Sequence, residues 1–197
     1  MTTGDKHVLV CAIDESEQRA GMGACDMAFI VTLDNGTLKD YTAFYPGGMR
    51  HPTAAEPEEY QKQGAGPKLL MHDAFYDANN SKGLQYAKEI VEANTGMHAD
   101  AVIVVYDEGL DNIIDSIRPL YVDGEVSNLS ATDLVRSNDA YNGYAGNENV
   151  QGNMSRGDSV MVLVKALANA SKDPDKKNTM VQTALKEYSN GNIIMKP

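Results

Sequence analysis

Two short apolar runs limit most strongly what this chain can fold into: residues 7–13 (HVLVCAI) and 101–106 (AVIVVY). A strand covered on one face alternates apolar with polar residues. A run with no polar break reads as a strand buried inside a sheet. Around these runs the period changes. Leu84, Ala87, Ile90 and Val91 recur at helical spacing over residues 81–94, with Ser81 as the expected cap and Gly96 as the stop. Leu110, Ile113, Ile114 and Ile117 mark a shorter amphipathic helix closed by Pro119. Ser130 or Thr132 caps a helical turn toward Arg136. Ser155 with Asp158 opens a helix through Ala170, with a stripe of Val160, Leu163, Val164 and Leu167, and a last helix spans about residues 176–189. Residues 27–33 (MAFIVTL), the Asp34-Asn35-Gly36 turn and residues 38–45 predict a hairpin. A short strand piece is expected at 120–122, before an Asp123-Gly124 turn, and the last helix leads into Ile193-Ile194-Met195. Strands alternating with helices around one core predict an α/β layered domain.

Residues 1–6 read like a linker remnant, which leaves residues 7–197 as a single domain. Residues 46–67 are too rich in Gly, Pro and polar side chains for an ordinary connection, so a functional or covering loop is expected there. Residues 137–154, rich in Asn and Gly and carrying Tyr141 and Tyr144, read as an ordered lid or a mobile loop.

At 197 residues the chain can pack a core without staples. Cys11 and Cys25 are its only cysteines, which excludes a disulfide framework or zinc ribbon and leaves one bridge or two buried free thiols. A net charge of −11 argues against nucleic acid and anionic membrane as broad partners. No apolar run approaches the ~18 residues of a membrane helix, and no signal-peptide pattern opens the chain. Asn-x-Ser/Thr spacing at Asn35, Asn79, Asn128, Asn153 and Asn169 is compatible with an extracellular location.

Arginine carries the sharpest chemical signal. There are five, Arg19, Arg50, Arg118, Arg136 and Arg156, and all but Arg118 fall where an element gives way to a loop or at a helix start. Such edges are where open α/β sheets bind ligands. Arg156, in the first turn of its helix, opposes the helix dipole unless an anion is bound there. The competing reading is that these arginines pair with surplus surface carboxylates. Asp14 ends the first strand and Asp26 opens the second, so both acids are expected near one sheet edge, close enough to share Mg²⁺. They are otherwise ordinary loop-capping aspartates. His51 and the His72-Asp73 pair are further candidates, although the four histidines have no zinc spacing. Gly47-Gly48 before Arg50 offers close backbone approach to a phosphate, and no P-loop, GxSxG or GxGxxG motif occurs.

The order of these motifs resembles that of the LytR–CpsA–Psr family of cell-wall assembly proteins, and more closely a divergent branch of unknown function found in bacteria and archaea. The resemblance runs from His7 to about Ser171. VLVCAID, residues 8–14, is similar to the family's opening strand and its terminal acid; Cys25-Asp26-Met27 stands where the family has Thr-Asp-Thr. Pro46-Gly47-Gly48-Met49-Arg50 stands for its Pro-Arg-Asp, Leu134-Val135-Arg136 for the segment bearing a later arginine, and residues 152–156 (GNMSR) for Gly-Arg-x-x-Arg. Three family charges are missing: His51 follows Arg50 in place of an acid, and Asn138 and Asn153 stand in place of arginines.

The resemblance implies a three-layer α/β/α sandwich around a central mixed β-sheet, holding a polyprenyl pyrophosphate between sheet and helices. It implies that Arg19, Arg50, Arg136 and Arg156 bind the substrate, that Asp14 and Asp26 hold Mg²⁺, and that Asp26, Arg50 and Arg156 carry catalysis. The activity implied is transfer of a glycopolymer phosphate from the lipid carrier to the cell wall, on the extracytoplasmic face of the membrane, with an anchor upstream of residue 1. The alternative is a non-catalytic cell-envelope module that keeps the fold and binds a glycan polymer or a partner protein through residues 137–154.

Overall fold

A computed structural model describes residues 4–139 and 155–197. In chain order the elements are β1 (Lys6–Asp14), β2 (Ala24–Asp34), β3 (Thr37–Phe44), β4 (Arg50–Ala55), α1 (Glu58–Lys62), β5 (Lys68–Leu70), α2 (Asn80–Thr95) and β6 (Ala101–Tyr106). There follow α3 (Asp107–Ser116), β7 (Leu120–Val122), β8 (Glu125–Ser127), α4 (Ala131–Asn138), α5 (Arg156–Ala170), α6 (Pro174–Asn190) and β9 (Ile193–Lys196).

Five strands form the central sheet in the order β3-β2-β1-β6-β9. β1 is antiparallel to β2 and parallel to β6, and β9 is antiparallel to β6, so the sheet is mixed. Side chains alternate across it. Leu9, Cys11, Ile13, Val102 and Val104 pack on one face against Leu84, Ala87, Ile90 and Val91 of α2. Ala12, Met27, Phe29 and Val105 pack on the other against Ile114, Leu134, Val160 and Leu163 of α3, α4 and α5. Helices on both faces explain why the two apolar runs have no polar break, and the result is the expected three-layer sandwich.

The topology also explains where chemistry collects. β1 and β6 are parallel, with Ile13 opposite Tyr106, so Asp14 and Asp107 leave the sheet side by side at one edge. β2 enters at the same edge with Asp14 opposite Ala24, bringing Asp26 alongside. The start of α5 packs beneath the end of β3, where a Cβ added at Gly157 would lie 3.7 Å from the Phe44 carbonyl carbon. Arg156 therefore comes to that edge from the helical side.

Several expectations are corrected. Residues 46–67 are not one irregular loop: β4 pairs with β5 through Arg50–Leu70 and Ala55–Lys68, and α1 crosses between them. Pro52 and the irregular register hide this ribbon from a period-2 reading. The cap of α2 is Asn79, whose side chain accepts the Ser81 N–H, in place of Ser81 itself. Lys6 belongs to β1, paired with Leu33 and ion-paired to Asp100 at 3.2 Å, so the domain begins inside the segment read as a linker. Cys11 and Cys25 are free and buried; the Cys11 thiol and burial push the Cys25 thiol well above its ordinary range. Asn153, Tyr141, Tyr144 and most of 137–154 lie outside the described residues. Among the described residues no helix is long and apolar enough to cross a membrane.

Candidate functional site

At the edge where β1 ends and β2 begins lies a cavity of about 720 Å³. Its walls include Arg19, Arg50, Arg136 and Arg156, the four arginines expected to bind substrate, together with Asp26, Glu17, His72 and Asp73. The fifth arginine, Arg118, is used elsewhere: it pairs with Asp115 and donates to the Ser127 and Leu129 carbonyls. Gathering four of five arginines into one cavity of a chain with net charge −11 is not what scattered surface pairing gives.

Each arginine is held in its own way. Arg19 lies in the loop after β1, donates to Asp73 at 3.0 Å and to the Gln18 carbonyl at 3.0 Å, and stacks 4.7 Å over the Tyr60 ring. That loop is fixed by Gly21, whose N–H donates to the Tyr76 carbonyl at 3.0 Å. A Cβ there would sit 2.2 Å from the Phe75 oxygen and 2.3 Å from the Asp77 oxygen, so only glycine fits. Arg156 opens α5 after the Ser155 cap and pairs through Nε with Asp139, which is fully buried. The cation at a helix start is thus compensated within the protein, a partner that sequence alone did not show. Arg136 Nη2 lies 3.8 Å from Asp14. Arg50 donates to the Ala65 and Lys68 carbonyls at 2.7 and 2.9 Å, which ties down the segment after α1.

The acids divide by environment. Asp14, 5% exposed, takes the Ser16 N–H and hydroxyl at 2.8 and 2.6 Å on one oxygen. Burial raises Asp26 above the usual carboxylate range, with Arg156 and His72 opposing and Asp14 and Glu17 reinforcing. Burial also acts to raise Asp73, but its hydrogen bond from His72, the His72 charge and Arg19 win, and it stays below that range. For His72, burial disfavours the cation and is outweighed by the Asp73 bond and the charges of Asp73, Glu17 and Asp26, so its pKa lies above the ordinary imidazole value. Two acids not singled out from sequence lie behind the cavity. Burial, with Asp14 and Asp26, pushes Asp107 up to about 7. Burial likewise pushes Glu56 up to about 7 against its bond from the Leu70 N–H.

A divalent cation fits this donor set. The Glu17, Asp26 and His72 donor atoms all lie within 4.8 Å of one another. The carboxylate of Asp14, expected as a ligand beside Asp26, is in contact with Ser16 and Arg136. Glu17 and Tyr60 were not anticipated. The available signal for Glu17 was its place between Asp14 and Arg19 in a loop leaving a buried strand. His51 is structural: its Nδ1 accepts the Thr53 and Ala54 N–H groups, so Nε2 donates to Glu89 at 2.6 Å. Asn138 donates to the Leu134 carbonyl of its own helix.

The three-layer sandwich is a fold shared with solved LytR–CpsA–Psr structures. Bacillus subtilis TagV superposes with a TM-score of 0.58 at 16% identity, covering 100% of this chain and 75% of that one. A LytR-Csp2A-Psr enzyme from Actinomyces oris gives 0.56 at 14% identity, covering 98% and 70%. TagT bound to LI-WTA gives 0.52 at 15% identity, covering 97% and 68%. Residues 3–141 match the model of a protein family of unknown function, DUF4012, and the chain belongs to that family. No curated protein matches the sequence.

Proposed function

We propose that the cavity binds the pyrophosphate of a polyprenyl-pyrophosphate-linked glycopolymer and transfers its glycopolymer phosphate to the cell wall, on the extracytoplasmic face of the membrane. The observation that carries this is the convergence of Arg19, Arg50, Arg136 and Arg156 on one cavity, two of them pinned by buried carboxylates. Charge-assisted Arg–phosphate bonds contribute roughly 1.5–3 kcal/mol each, and a guanidinium already held in place loses little freedom on binding. Phosphoryl transfer depends mainly on positioning and charge neutralisation, which these side chains supply.

In this reading Arg156 and Arg136 grip from the helical side, and Arg19 does so from the loop after β1. Asp26 faces the phosphate with Asp14 behind it, and both draw Mg²⁺ to the sheet edge. Mg²⁺, when bound, neutralises phosphate oxygens alongside the arginines. The family likeness supports the class: one structural relative is described as an enzyme, and another was solved with LI-WTA.

One observation favours a second reading, a cell-envelope module that binds glycan or a partner protein without turnover. Arg50 already donates to two carbonyls, and His51, in place of an acid, is locked by β4 and α2. Calorimetric titration with a short polyprenyl pyrophosphate, with and without Mg²⁺, tests both. Micromolar, Mg²⁺-dependent binding abolished by Arg156→Ala and by Asp26→Ala is expected. Undiminished binding in both variants, or no heat at millimolar ligand, overturns the lipid-pyrophosphate site. Binding with no transfer to a wall acceptor selects the second reading.

A further inference from the structure

Beside the arginines the cavity holds a group that anion binding leaves unexplained. Nε2 of His72 lies 3.5 Å from Glu17 Oε2 and 3.8 Å from Asp26 Oδ1, while Nδ1 lies 3.2 Å from Asp73 Oδ1. With Nδ1–H on Asp73, the Nε2 lone pair points into the gap between the other two carboxylates. Neither contact is short enough for a good hydrogen bond. Asp26, with its side chain only 13% exposed, accepts no hydrogen bond from any described residue.

We infer that Glu17, Asp26 and His72 bind a divalent transition-metal ion of the Mn²⁺, Co²⁺ and Zn²⁺ class. Two donors sharing one cation at bonds of about 2.0–2.2 Å stand roughly 3.0–3.5 Å apart, so the 3.5 and 3.8 Å distances from Nε2 need only small shifts, and the 44% exposed Glu17 side chain is free to move the rest of the way from a set that already lies within 4.8 Å. Imidazole nitrogen suits transition ions, whereas Mg²⁺ takes oxygen donors and keeps its waters. The outer shell is built: Asp73, 5% exposed, fixes the imidazole tautomer and is itself held by Arg19 at 3.0 Å. Such a carboxylate–histidine–metal arrangement orients the ligand and raises its basicity. Three protein donors leave coordination positions open toward the arginines, where an anionic oxygen completes the site. The ion site shares Asp26 with the proposed function, but its formation needs no lipid.

The experiment uses the EDTA-stripped full chain. Titration with Co²⁺, followed by visible absorption, is expected to load one ion per chain. Calorimetry is expected to show Mn²⁺ binding on the order of tenfold tighter than Mg²⁺. His72→Gln should remove that preference, and Asp73→Asn should weaken Mn²⁺ by about 10–100-fold. A His72→Gln protein that binds Co²⁺ as tightly as the wild type overturns the site, as does the absence of transition-ion binding below millimolar concentration. Should either variant fail to fold, imidazole ¹⁵N spectra of the wild type decide: Mn²⁺ must broaden His72 before His7, His51 and His98, and broadening led by His98 overturns the inference. Polyprenyl pyrophosphate binding by the His72→Gln protein in Mg²⁺ alone, with no transition ion added, is a separate readout of the arginines, so the two proposals fail independently.

Discussion

β2 and β3 carry a cavity at each end, and the two are built from opposite materials. The one at the start of β2 is walled by arginines and acids. The one at the far end, about 500 Å³, is lined by Leu33, Leu38, Tyr41, Met180 and Val181, with Lys39, Lys172 and Lys177 around it. Positive charge is present at both ends, but its fixation differs. Arg19 and Arg156 have side chains 12% and 17% exposed, on carboxylates that are 5% and 0% exposed. Lys39 pairs with Asp5 at 2.7 Å with side chains 56% and 37% exposed, and Lys172 reaches Asn169 at 3.0 Å. A charge held on a buried partner is aimed before any ligand arrives; a solvated lysine is not. The comparison teaches that the partner's burial marks a site better than the cation itself does.

The largest effect is expected where that fixation is cut. Arg156→Ala removes the cation that pairs with the fully buried Asp139, a change of up to about 3–5 kcal/mol for a buried ion pair losing one member. Thermal unfolding should show the loss, and polyprenyl pyrophosphate binding should vanish with it. Arg156→Lys separates the two consequences. It keeps a charge near Asp139 but loses the planar fork, so the fold should survive while pyrophosphate affinity drops by about 10–100-fold. Wild-type affinity in Arg156→Lys would show that Arg156 serves only the fold.

Next comes the loop that carries Glu17 and Arg19. An alanine methyl at Gly21 has to displace the Phe75 and Asp77 carbonyl oxygens, which are backbone and cannot swing aside. Gly21→Ala should cost about 3 kcal/mol or more, read as a shift of the urea midpoint. Gly36→Ala meets open space and only the strain of a φ of +80°, so it should cost less. Equal losses in the two variants would mean that the loop is not clamped as described.

How much of this was legible in the sequence depended on whether a residue's partner was local. β1, β6 and α5 announce themselves because their apolar periods and the Ser155–Asp158 cap are short-range signals. The positions of Asp14, Asp26 and the arginines at element ends were readable for the same reason. What stayed hidden was the partner across the fold: Asp73 for Arg19, 54 residues away, and Asp139 for Arg156. The ribbon of β4 and β5 was hidden because its two Cα pairings flank an irregular stretch containing Pro52. His72 was noticed beside Asp73, but nothing local brings it to Glu17 and Asp26.

The acids behind the cavity give a smaller and opposite-signed test through pH. Glu56, 2% exposed, has a folded-state pKa of about 7, above the value of 4.5 expected when it is solvated. Between those values the folded protein keeps a proton that the unfolded chain releases. Stability is therefore full below about pH 4.5 and falls as pH rises toward 7, by at most about 1.4 kcal/mol per pH unit from this group. Asp107, raised to about 7 from an ordinary value of 3.8, adds a slope of the same sign over a window that opens at lower pH. Glu56→Gln keeps an acceptor for the Leu70 N–H and has no proton to lose, so the gap between urea midpoints at about pH 5 and pH 7.5 should narrow in that variant, leaving the part that belongs to Asp107. A wild-type stability that rises over this window would exclude a neutral Glu56.

The smallest effects belong to the lysine end, and their smallness sharpens the comparison. Lys39→Ala removes a pair exposed on both sides and crowded by Asp34 and Asp40, and Lys177→Ala removes a charge at the rim of an apolar hollow. Exposed pairs of this kind contribute little and are screened by salt. Both variants should unfold as the wild type does and bind polyprenyl pyrophosphate within about twofold of it. The same sign of charge, on the same two strands, would then matter at one end and not at the other. A loss of binding in Lys39→Ala or Lys177→Ala comparable to that in Arg156→Lys would place part of the ligand at the far cavity. Selectivity would then follow from charge alone, without any requirement for a buried partner.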